Sequence, residues 1–259
     1  MHDTEPDIYE EKKMMIPISK ERLHYLAKLK QKKFRNSENL VVVEGRRVLE
    51  QLGSWGIKPL ELYCLDNEAP LPVDCVYSIN AAGMARICGS EHPPSIAGLF
   101  PLPRVQEVKF RTAFYLEDIS DPGNLGTIFR SAAAFGISAL ILSPNCCEVG
   151  SPKVIRSSLG AVFKVPFWIC DVSDLSQLGA SIYALDMNGT QQLESISKKA
   201  QPQIIALGSE AHGLSAELRN LALETLGIPI TKDMESLNAA ISFGITAYEL
   251  FKTSIGQNE

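Results

Sequence analysis

The stretch Asp118–Arg130, with the sequence DISDPGNLGTIFR, places turn residues directly after the apolar run Ala113–Glu117. Two later stretches are built in the same way: Gly208–Ser215 (GSEAHGLS) and Ile228–Ala239 (IPITKDMESLNA) each follow a short apolar run that predicts a strand. Ligands of open α/β sheets bind at the carboxyl ends of the strands. Three polar loops in such positions therefore predict one shared pocket.

Strand and helix patterns alternate around these loops, up to a final helix predicted over Leu237–Lys252. This alternation is typical of an α/β fold with a mostly parallel sheet and helices on both faces. A smaller alternation fills the N-terminal part, and Pro101 and Pro103 after it favour an extended connection. We predict a flexible tail at 1–16, a small α/β domain at 17–100, a linker at 101–110 and a larger α/β domain at 111–259.

The composition of the 259 residues is that of an ordinary globular protein, with 45% hydrophobic residues and a net charge of −5. No apolar run is long enough to span a membrane, and the acidic, polar N-terminus does not resemble a secretory signal, so we expect a cytoplasmic protein. Six cysteines show no C-x-x-C pair and four histidines are scattered, which predicts reduced thiols and no metal site.

Residues 20–35 carry seven Lys or Arg against one Glu, in contrast to the acidic average. We predict one basic helix over about 19–33 that Asn36–Asn39 breaks. Two interpretations of its charge stay open: a solvated helix face, or a surface that contacts RNA phosphates. For the second, the candidate RNA-binding residues are Lys28, Lys30, Lys32, Lys33, Arg35, Arg46 and Arg47.

Arg130 lies in a helix pattern of apolar and small residues, where a guanidinium needs an anion. That anion is either a structural carboxylate, Glu117 or Asp118, or a substrate phosphate. Asn124 is placed to cap the same helix, and Ser236 is a natural cap for the last helix. Asn238, one step inside the last helix, is less expected, because Asn disfavours helix interiors. His212 alone is more often a surface residue than a base.

Together these residues resemble three motifs of the SpoU/TrmH family of RNA ribose 2′-O-methyltransferases. Asn124, Gly126 and Arg130 match N-x-G-x-x-x-R, and Gly208 and Glu210 match the second motif. The third motif, I-P-x(6)-S-L-N, is matched by Ile228, Pro229, Ser236, Leu237 and Asn238. The run Leu40–Gly45 (LVVVEG) is similar to the RNA-substrate-binding domain of the family, whose fold is related to a ribosomal protein.

The resemblance implies a bent S-adenosylmethionine held in a deep trefoil knot by the backbone at Gly208, Ile228 and Leu237. Lys232 stands where many family members have glycine, which puts the cofactor affinity in question. The resemblance also implies a homodimer with the C-terminal helix at its interface. The apolar stripe of that helix fits either a core or a subunit interface, and its residues are Leu237, Ile241, Ile245, Tyr248 and Phe251.

The implied reaction is methyl transfer from S-adenosylmethionine to a ribose 2′-hydroxyl of RNA, and ribosomal RNA is the favoured substrate. The implied catalytic residues are Arg130, Asn124, Glu210, Ser236 and Asn238. Since arginine essentially never deprotonates, we assign Arg130 to stabilising the developing alkoxide and leave the general base open. The alternatives are a transfer RNA 2′-O-methyltransferase, or a non-catalytic RNA-binding protein that kept the fold.

Overall fold

The computed structural model describes residues 15–65, 71, 73–193, 196, 202–209, 212–231 and 233–255, without the side chains of 253–255. Glu210 and Lys232 lie outside the described residues, as does most of the tail predicted at 1–16. The last residue of that predicted tail, Ile16, belongs to a two-residue strand.

The N-terminal unit is a five-stranded mixed sheet with four helices. Its strands lie in the order β1-β4-β3-β5-β2, in which β5 runs antiparallel to both of its neighbours and the other pairs are parallel. The elements are β1 (Ile16–Pro17), α1 (Lys20–Lys28), α2 (Lys32–Glu38), β2 (Leu40–Glu44), α3 (Arg46–Ser54), β3 (Glu61–Cys64), β4 (Val76–Ser78), α4 (Ala81–Ile87) and β5 (Ile96–Pro101).

The predicted single basic helix is wrong, because the segment forms two helices, α1 and α2. The turn between them leaves backbone carbonyls unpaired, and the guanidinium of Arg35 donates to two of them, Leu29 O at 3.0 Å and Lys30 O at 2.7 Å. Helix α2 then continues through most of the predicted break to Glu38, and it is followed by Asn39, which has a left-handed backbone with φ of 54°.

The C-terminal unit confirms the predicted α/β architecture with a parallel sheet. Seven strands lie in the order β10-β12-β9-β11-β6-β7-β8, and every pair is parallel. The elements are β6 (Thr112–Leu116), α5 (Pro122–Ala134), β7 (Ala139–Leu142), α6 (Pro152–Ser157), β8 (Phe167–Ile169), β9 (Ser181–Leu185), β10 (Gln191–Gln192), β11 (Gln203–Leu207), α7 (Ala216–Leu221), β12 (Glu224–Gly227) and α8 (Ala239–Ile255), with 3-10 turns at Ala161–Phe163 and Val172–Leu178.

Both faces of the seven-stranded sheet are buried. On β6, Phe114 and Leu116 pack into the apolar core that includes Phe129 of α5 and Phe243 of α8. Their neighbour Tyr115 points to a second core, which Leu218 of α7 shares. The alternation follows from the two-residue period of a strand, so the helices cover the two faces separately.

The apolar stripe predicted on the last helix is largely exposed in this chain. Ile241 is 54% exposed and Tyr248 is 49% exposed, so the interpretation of the stripe as core is wrong for these residues. The buried face of α8 is formed instead by Ala240, Phe243 and Ala247. Small side chains let α8 approach the sheet closely, and the ring centroids of Phe243 and Phe114 are 4.4 Å apart.

Candidate functional site

A cavity of about 350 Å³ lies at the carboxyl ends of β9, β11 and β12. These three strands are neighbours in the sheet, in the order β12-β9-β11, so their following loops meet at one edge. The cavity is lined by the carboxyl ends of these strands and the loops after them: 185–188 from β9, 207–209 and 212–214 from β11, and 228, 230 and 235–237 from β12. Arg219 of α7 and Ala239 and Ser242 of α8 complete the lining. The prediction of one pocket shared by three loops is thus confirmed for the second and third loops, and it is wrong for the first, because no residue of Asp118–Arg130 lines the cavity.

Several residues singled out by sequence converge on this cavity. Gly208, Ile228 and Leu237, the predicted cofactor-binding residues, all line it, as does Ser236. His212 lines it too, with an exposed side chain. Asn124, Arg130 and Asn238 do not line the cavity, but Asn238 immediately follows Leu237 in its wall.

The second loop owes its shape to two glycines. A Cβ atom at Gly208 would collide with the backbone of Gly213, so the two ends of the loop touch where only glycine fits. Gly213 has a left-handed φ of 62°, and its N–H donates to Ser209 O at 2.8 Å. The side-chain oxygen of Ser209 is buried without a hydrogen-bond partner among the described residues.

The third loop ends at Asn238, which caps α8. Its side-chain oxygen accepts from the N–H groups of Ala240 at 3.0 Å and Ile241 at 3.3 Å. The helix therefore begins two residues later than predicted, and the assignment of Ser236 as its cap is wrong. An asparagine that disfavours the helix interior is well suited to this capping position.

Helix α5, which follows the first loop, is capped by Asp121, so the prediction of Asn124 as its cap is wrong. The carboxylate of Asp121 accepts from the N–H of Asn124 at 2.8 Å, and Pro122 occupies the first turn of α5. The side chain of Asn124 instead contacts the third loop: its oxygen accepts a hydrogen bond from the side-chain amide of Asn238 at 3.1 Å.

Arg130 is exposed on α5, and no hydrogen bond or ion pair joins it to another residue of the described ranges. Both carboxylates proposed as its structural partner are engaged elsewhere. Glu117 accepts from the N–H of Ser215 at 2.7 Å, and Asp118 accepts from the hydroxyl of Ser143 at 2.7 Å. The interpretation of Arg130 as half of a structural ion pair is therefore wrong.

An ion pair in the cavity wall was missed from the sequence. Asp186 follows β9 and is bound by the guanidinium of Arg219 at 3.0 Å, while its second oxygen accepts from the N–H of Asn188 at 3.0 Å. The apolar run predicts a strand over Ser181–Asp186, so the rule about carboxyl strand ends could have found this loop. Its partner Arg219, on α7, carries no such pattern in the sequence.

Thiols lie beneath the first loop without being activated. Burial raises the pKa of Cys147 to about 12, with smaller contributions from Cys146 and Asp121. Burial also raises the pKa of Cys146, whose thiol donates to Leu116 O at 3.2 Å. Both thiols therefore stay neutral at physiological pH and are poor nucleophiles.

Most of the predicted RNA-binding side chains are exposed, but Arg35 is not. It is 3% exposed and forms an ion pair with Glu148 at 2.6 Å, across the two units. Arg35 is thus a structural residue, because its charge and three of its nitrogens are already bound. The exposed members of the set are Lys28, Lys30, Lys32, Lys33, Arg46 and Arg47.

Within the described part of the chain, no His, Cys, Asp and Glu side chains are grouped so as to hold a metal ion. None of the helices in that part is both long and apolar enough to cross a bilayer.

The chain resembles curated methyltransferases over most of its length. An uncharacterized tRNA/rRNA methyltransferase of Synechocystis is 29% identical, with 86% of this chain and 88% of that protein covered. A 23S rRNA (guanosine(2553)-2'-O)-methyltransferase of Bacillus subtilis is 27% identical, with 86% of this chain and 93% of that protein covered.

Solved structures and a family model agree with this relationship. A TrmH-family protein from Porphyromonas gingivalis superposes with a TM-score of 0.76 at 28% identity, covering 90% of this chain and 98% of its own. An AdoMet-bound rRNA methyltransferase from Sinorhizobium meliloti superposes with a TM-score of 0.75 at 25% identity, covering 92% and 97%. The model of the SpoU rRNA Methylase family matches residues 111–248, just over half of the chain. The chain belongs to the SpoU rRNA Methylase family.

Proposed function

We propose that this protein transfers a methyl group from S-adenosylmethionine to a ribose 2′-hydroxyl of RNA. The observation that carries the proposal is the hydrogen bond between Asn124 and Asn238, which joins the first loop to the third beside the cavity. Polar groups from loops 114 residues apart in sequence are thereby gathered at one sheet edge. The Bacillus subtilis relative, named a 2'-O-methyltransferase, supports the same chemistry.

The cavity suits S-adenosylmethionine in size and chemistry. Its volume of about 350 Å³ is within the range of small-molecule sites. Apolar walls from Leu207, Ile228 and Leu237 surround polar backbone at Gly208, and the unpartnered oxygen of Ser209 is a hydrogen-bonding group in need of a partner. When bound, the cofactor would supply a methyl group on a sulfonium ion. We assign its binding to Gly208, Ile228 and Leu237.

The ribose hydroxyl is a poor nucleophile at neutral pH, so the site must orient it and manage its proton. We assign Asn124, Ser236 and Asn238 to orienting the nucleotide, because two of these side chains bond each other and the third lines the cavity. Glu210 lies outside the described residues and keeps its proposed role from the second motif.

Arg130 is the proposed cation of the reaction. Its exposed guanidinium has no partner among the described residues, so its donors are open to a phosphate and to the alkoxide that develops at the ribose. Arginine keeps its proton in proteins, and its planar fork suits phosphate oxygens.

A homodimer is part of the proposal. The exposed face of α8 presents Ile241, Ile245 and Tyr248, an apolar surface that a second copy of the chain would cover. Helix α5 packs beside α8, and Phe135 at its end touches the ring of Tyr248. We therefore infer that Arg130, on α5, adjoins the interface and serves a site to which both subunits contribute.

The proposal includes the deep trefoil knot that the family resemblance implies. The segment after β9 passes the end of β12 so closely that a Cβ at Gly189 would collide with the backbone of Leu226. At the same contact, a Cβ at Gly227 would lie too close to the carbonyl of Gly189. Two glycines at one close backbone contact support a chain packed tightly at the cofactor cavity.

Ribosomal RNA is the proposed substrate, and the domain at 17–100 is proposed to bind it, with 101–110 as the linker to the methyltransferase domain at 111–259. The exposed lysines and arginines of α1, α2 and α3 support an RNA-binding surface in that domain. Transfer RNA remains the alternative substrate, since the Synechocystis relative is named a tRNA/rRNA methyltransferase.

Two measurements on the purified protein test this function. Calorimetry should detect S-adenosylmethionine binding without RNA, and tritiated methyl groups should enter 23S rRNA transcribed in vitro, at a ribose, more than they enter transfer RNA transcripts. Preferred methylation of transfer RNA would establish the alternative substrate. RNA binding without cofactor binding would identify a non-catalytic RNA-binding protein and overturn the proposal.

A further inference from the structure

Helix α6 joins the two units of the protein. It packs against β2 of the N-terminal unit on one side and against α5 on the other. The contact with α5 is close, because a Cβ at Gly126 would collide with the side chain of Ser157, and the hydroxyl of Ser157 donates to Pro122 O at 3.0 Å. Helix α6 is therefore held in a fixed position between the N-terminal unit and the first loop.

Arg156 of α6 is anchored by one of its nitrogens and open at the others. Its Nη1 donates to the buried carboxylate of Glu44 at 3.3 Å, and Glu44 also accepts from the N–H of Gly89. The side chain of Arg156 is nevertheless 43% exposed, and its remaining nitrogens bond to none of the described residues. A guanidinium has five N–H donors, so most of them are available to a ligand.

Lys153, one turn earlier on α6, stands next to the first loop. Its ammonium lies 3.8 Å from the carboxylate of Asp121, the cap of the helix that carries Asn124. Both partners are largely exposed, with Lys153 at 60%, and such surface pairs contribute little to stability. The ammonium of Lys153 can therefore exchange this carboxylate for a phosphate.

Lysines of the N-terminal unit extend this positive charge along the junction between the two units, which we call the seam. The ammonium of Lys30 donates to Ala85 O on α4 at 3.3 Å, and α4 leads to Gly89, whose N–H is bound by Glu44, the partner of Arg156. Lys32 lines a second cavity, of about 320 Å³, together with Cys147, whose N–H donates to Ile119 O in the first loop at 2.9 Å. The four cations thus line one seam, from α1 and α2 to the first loop.

The acidic residues of the seam are mostly buried. Glu44 is held by Gly89 and Arg156, and Glu148 is held by the buried Arg35, so neither carboxylate presents a free negative charge. Asp121 is exposed with Lys153 facing it, and Glu91, two residues after Gly89, is exposed as well. The surface left to solvent along the seam is therefore positive, although the chain as a whole carries a charge of −5.

We propose that Lys153 and Arg156, together with Lys30 and Lys32, bind the RNA phosphate backbone across this seam and lead it from the N-terminal unit to the first loop. This inference rests on the proposed function, since it takes RNA to be the substrate. It assigns the RNA path to the junction of the two units rather than to the N-terminal unit alone.

The test is the salt dependence of RNA binding by the full chain. Fluorescence polarisation with a fluorescein-labelled fragment of 23S rRNA is measured over a series of KCl concentrations. Each lost phosphate contact lowers the slope of log affinity against log salt by about 0.7 to 0.9, so the Lys153→Gln/Arg156→Gln variant should lose about 1.5. Its S-adenosylmethionine affinity should stay that of the parent, because neither side chain lines the cofactor cavity.

Two controls are needed. The first tests whether any loss of two positive charges lowers the slope, and the second tests whether Arg156 acts by holding the two units together. Lys109→Gln/Arg111→Gln removes the same charge just before β6, at the amino edge of the sheet, and should leave the slope unchanged. Glu44→Gln removes the ion pair but keeps the charge of Arg156, and it should also retain the parent slope. If Glu44→Gln reproduced the loss, Arg156 would act by docking the two units, and the proposal would be overturned.

An unchanged slope in the Lys153→Gln/Arg156→Gln variant, with normal melting temperature, would equally overturn it. Failure of the proposed function has a different signature. In that case the parent itself would neither bind S-adenosylmethionine nor transfer methyl groups, whatever the salt slopes of its variants.

Discussion

The side-chain amide of Asn238 donates a hydrogen bond of 3.1 Å to the side-chain oxygen of Asn124. The oxygen of Asn238 meanwhile caps α8 by accepting from two backbone N–H groups. One amide thus fixes the start of the last helix with its oxygen and the first loop with its nitrogen. Because the two functions use different atoms, they can be separated by mutation.

Replacement of Asn238 by aspartate should separate them. Aspartate keeps the oxygen that caps α8 but has no donor for Asn124, so we expect a melting temperature near that of the parent and a marked fall in methyl transfer. Asn238→Ala should lose both functions, including about 1 kcal/mol of stability from the cap. Thermal melting and tritiated methyl incorporation, measured side by side, are the checks. Equal activity of the parent and Asn238→Asp would show that donation from position 238 to Asn124 has no catalytic value.

Arg130→Ala should abolish methyl transfer while leaving the fold and cofactor affinity close to those of the parent. The side chain is exposed and bonds to none of the described residues, so its removal costs little stability. Loss of one preorganised charge stabiliser lowers the rate by about 10²–10³. Arg130→Lys should restore little, because an ammonium lacks the planar fork of donors. Full activity of Arg130→Ala would refute the assigned role.

Gly208→Ala should weaken S-adenosylmethionine binding by deforming the second loop. The added methyl group would collide with the backbone of Gly213, which cannot move away as a flexible side chain can. Calorimetric titration of the cofactor is the measurement. Gly89→Ala is the matched control, since a Cβ there would make only an ordinary contact, 3.4 Å from Glu44 and outside the cofactor cavity, and it should bind the cofactor like the parent. Parent-like affinity in Gly208→Ala would show that the loop tolerates the collision.

Arg35→Gln should destabilise the protein without acting as the loss of an RNA contact. Removing one partner of a buried ion pair costs about 3–5 kcal/mol, since Glu148 would keep an uncompensated charge. We expect a lower urea midpoint, and at temperatures where the variant is folded, an RNA-binding salt slope equal to that of the parent. Lys30→Gln/Lys32→Gln/Lys33→Gln should show the reverse pattern. A flatter slope in Arg35→Gln would return Arg35 to the RNA-binding set.

Alkaline pH should destabilise the protein in part through Cys88. Burial and Glu44 raise the pKa of its thiol in the folded state to about 12, whereas an unfolded thiol ionises near its ordinary value of 9.0. A raised folded pKa favours folding fully below the unfolded pKa, and this contribution is lost as the pH rises from about 9 to about 12. Urea unfolding at about pH 8 and about pH 10.5 should therefore show a smaller alkaline loss in Cys88→Ala than in the parent. Parallel losses in the two proteins would rule out this linkage.

Local sequence was sufficient wherever the decisive physics is local. Caps, apolar runs and turn residues predict a helix over Ala81–Ile87 and strands over Ala139–Leu142 and Gln203–Leu207, and α4, β7 and β11 have these bounds. The gathering of Gly208, Ile228 and Leu237 at one edge also followed from sequence, since parallel strands place their carboxyl ends together.

The partners of charged and capping side chains were decided only by the tertiary structure. In the sequence, Arg35 looks like one more surface cation, because its partner Glu148 is 113 residues away. Asp186 and Arg219 likewise form their ion pair only because the fold places the end of β9 beside α7. From sequence, the apolar stripe of α8 is likewise compatible with a core or an interface. The structure decides between them, because the small residues on the other face of α8 are the ones that pack against the sheet. Propensity and periodicity are properties of neighbouring residues in the chain, so sequence determines the elements and the order of their loops. Burial and ion pairing depend on which distant elements share a surface, and that is set only when the chain packs.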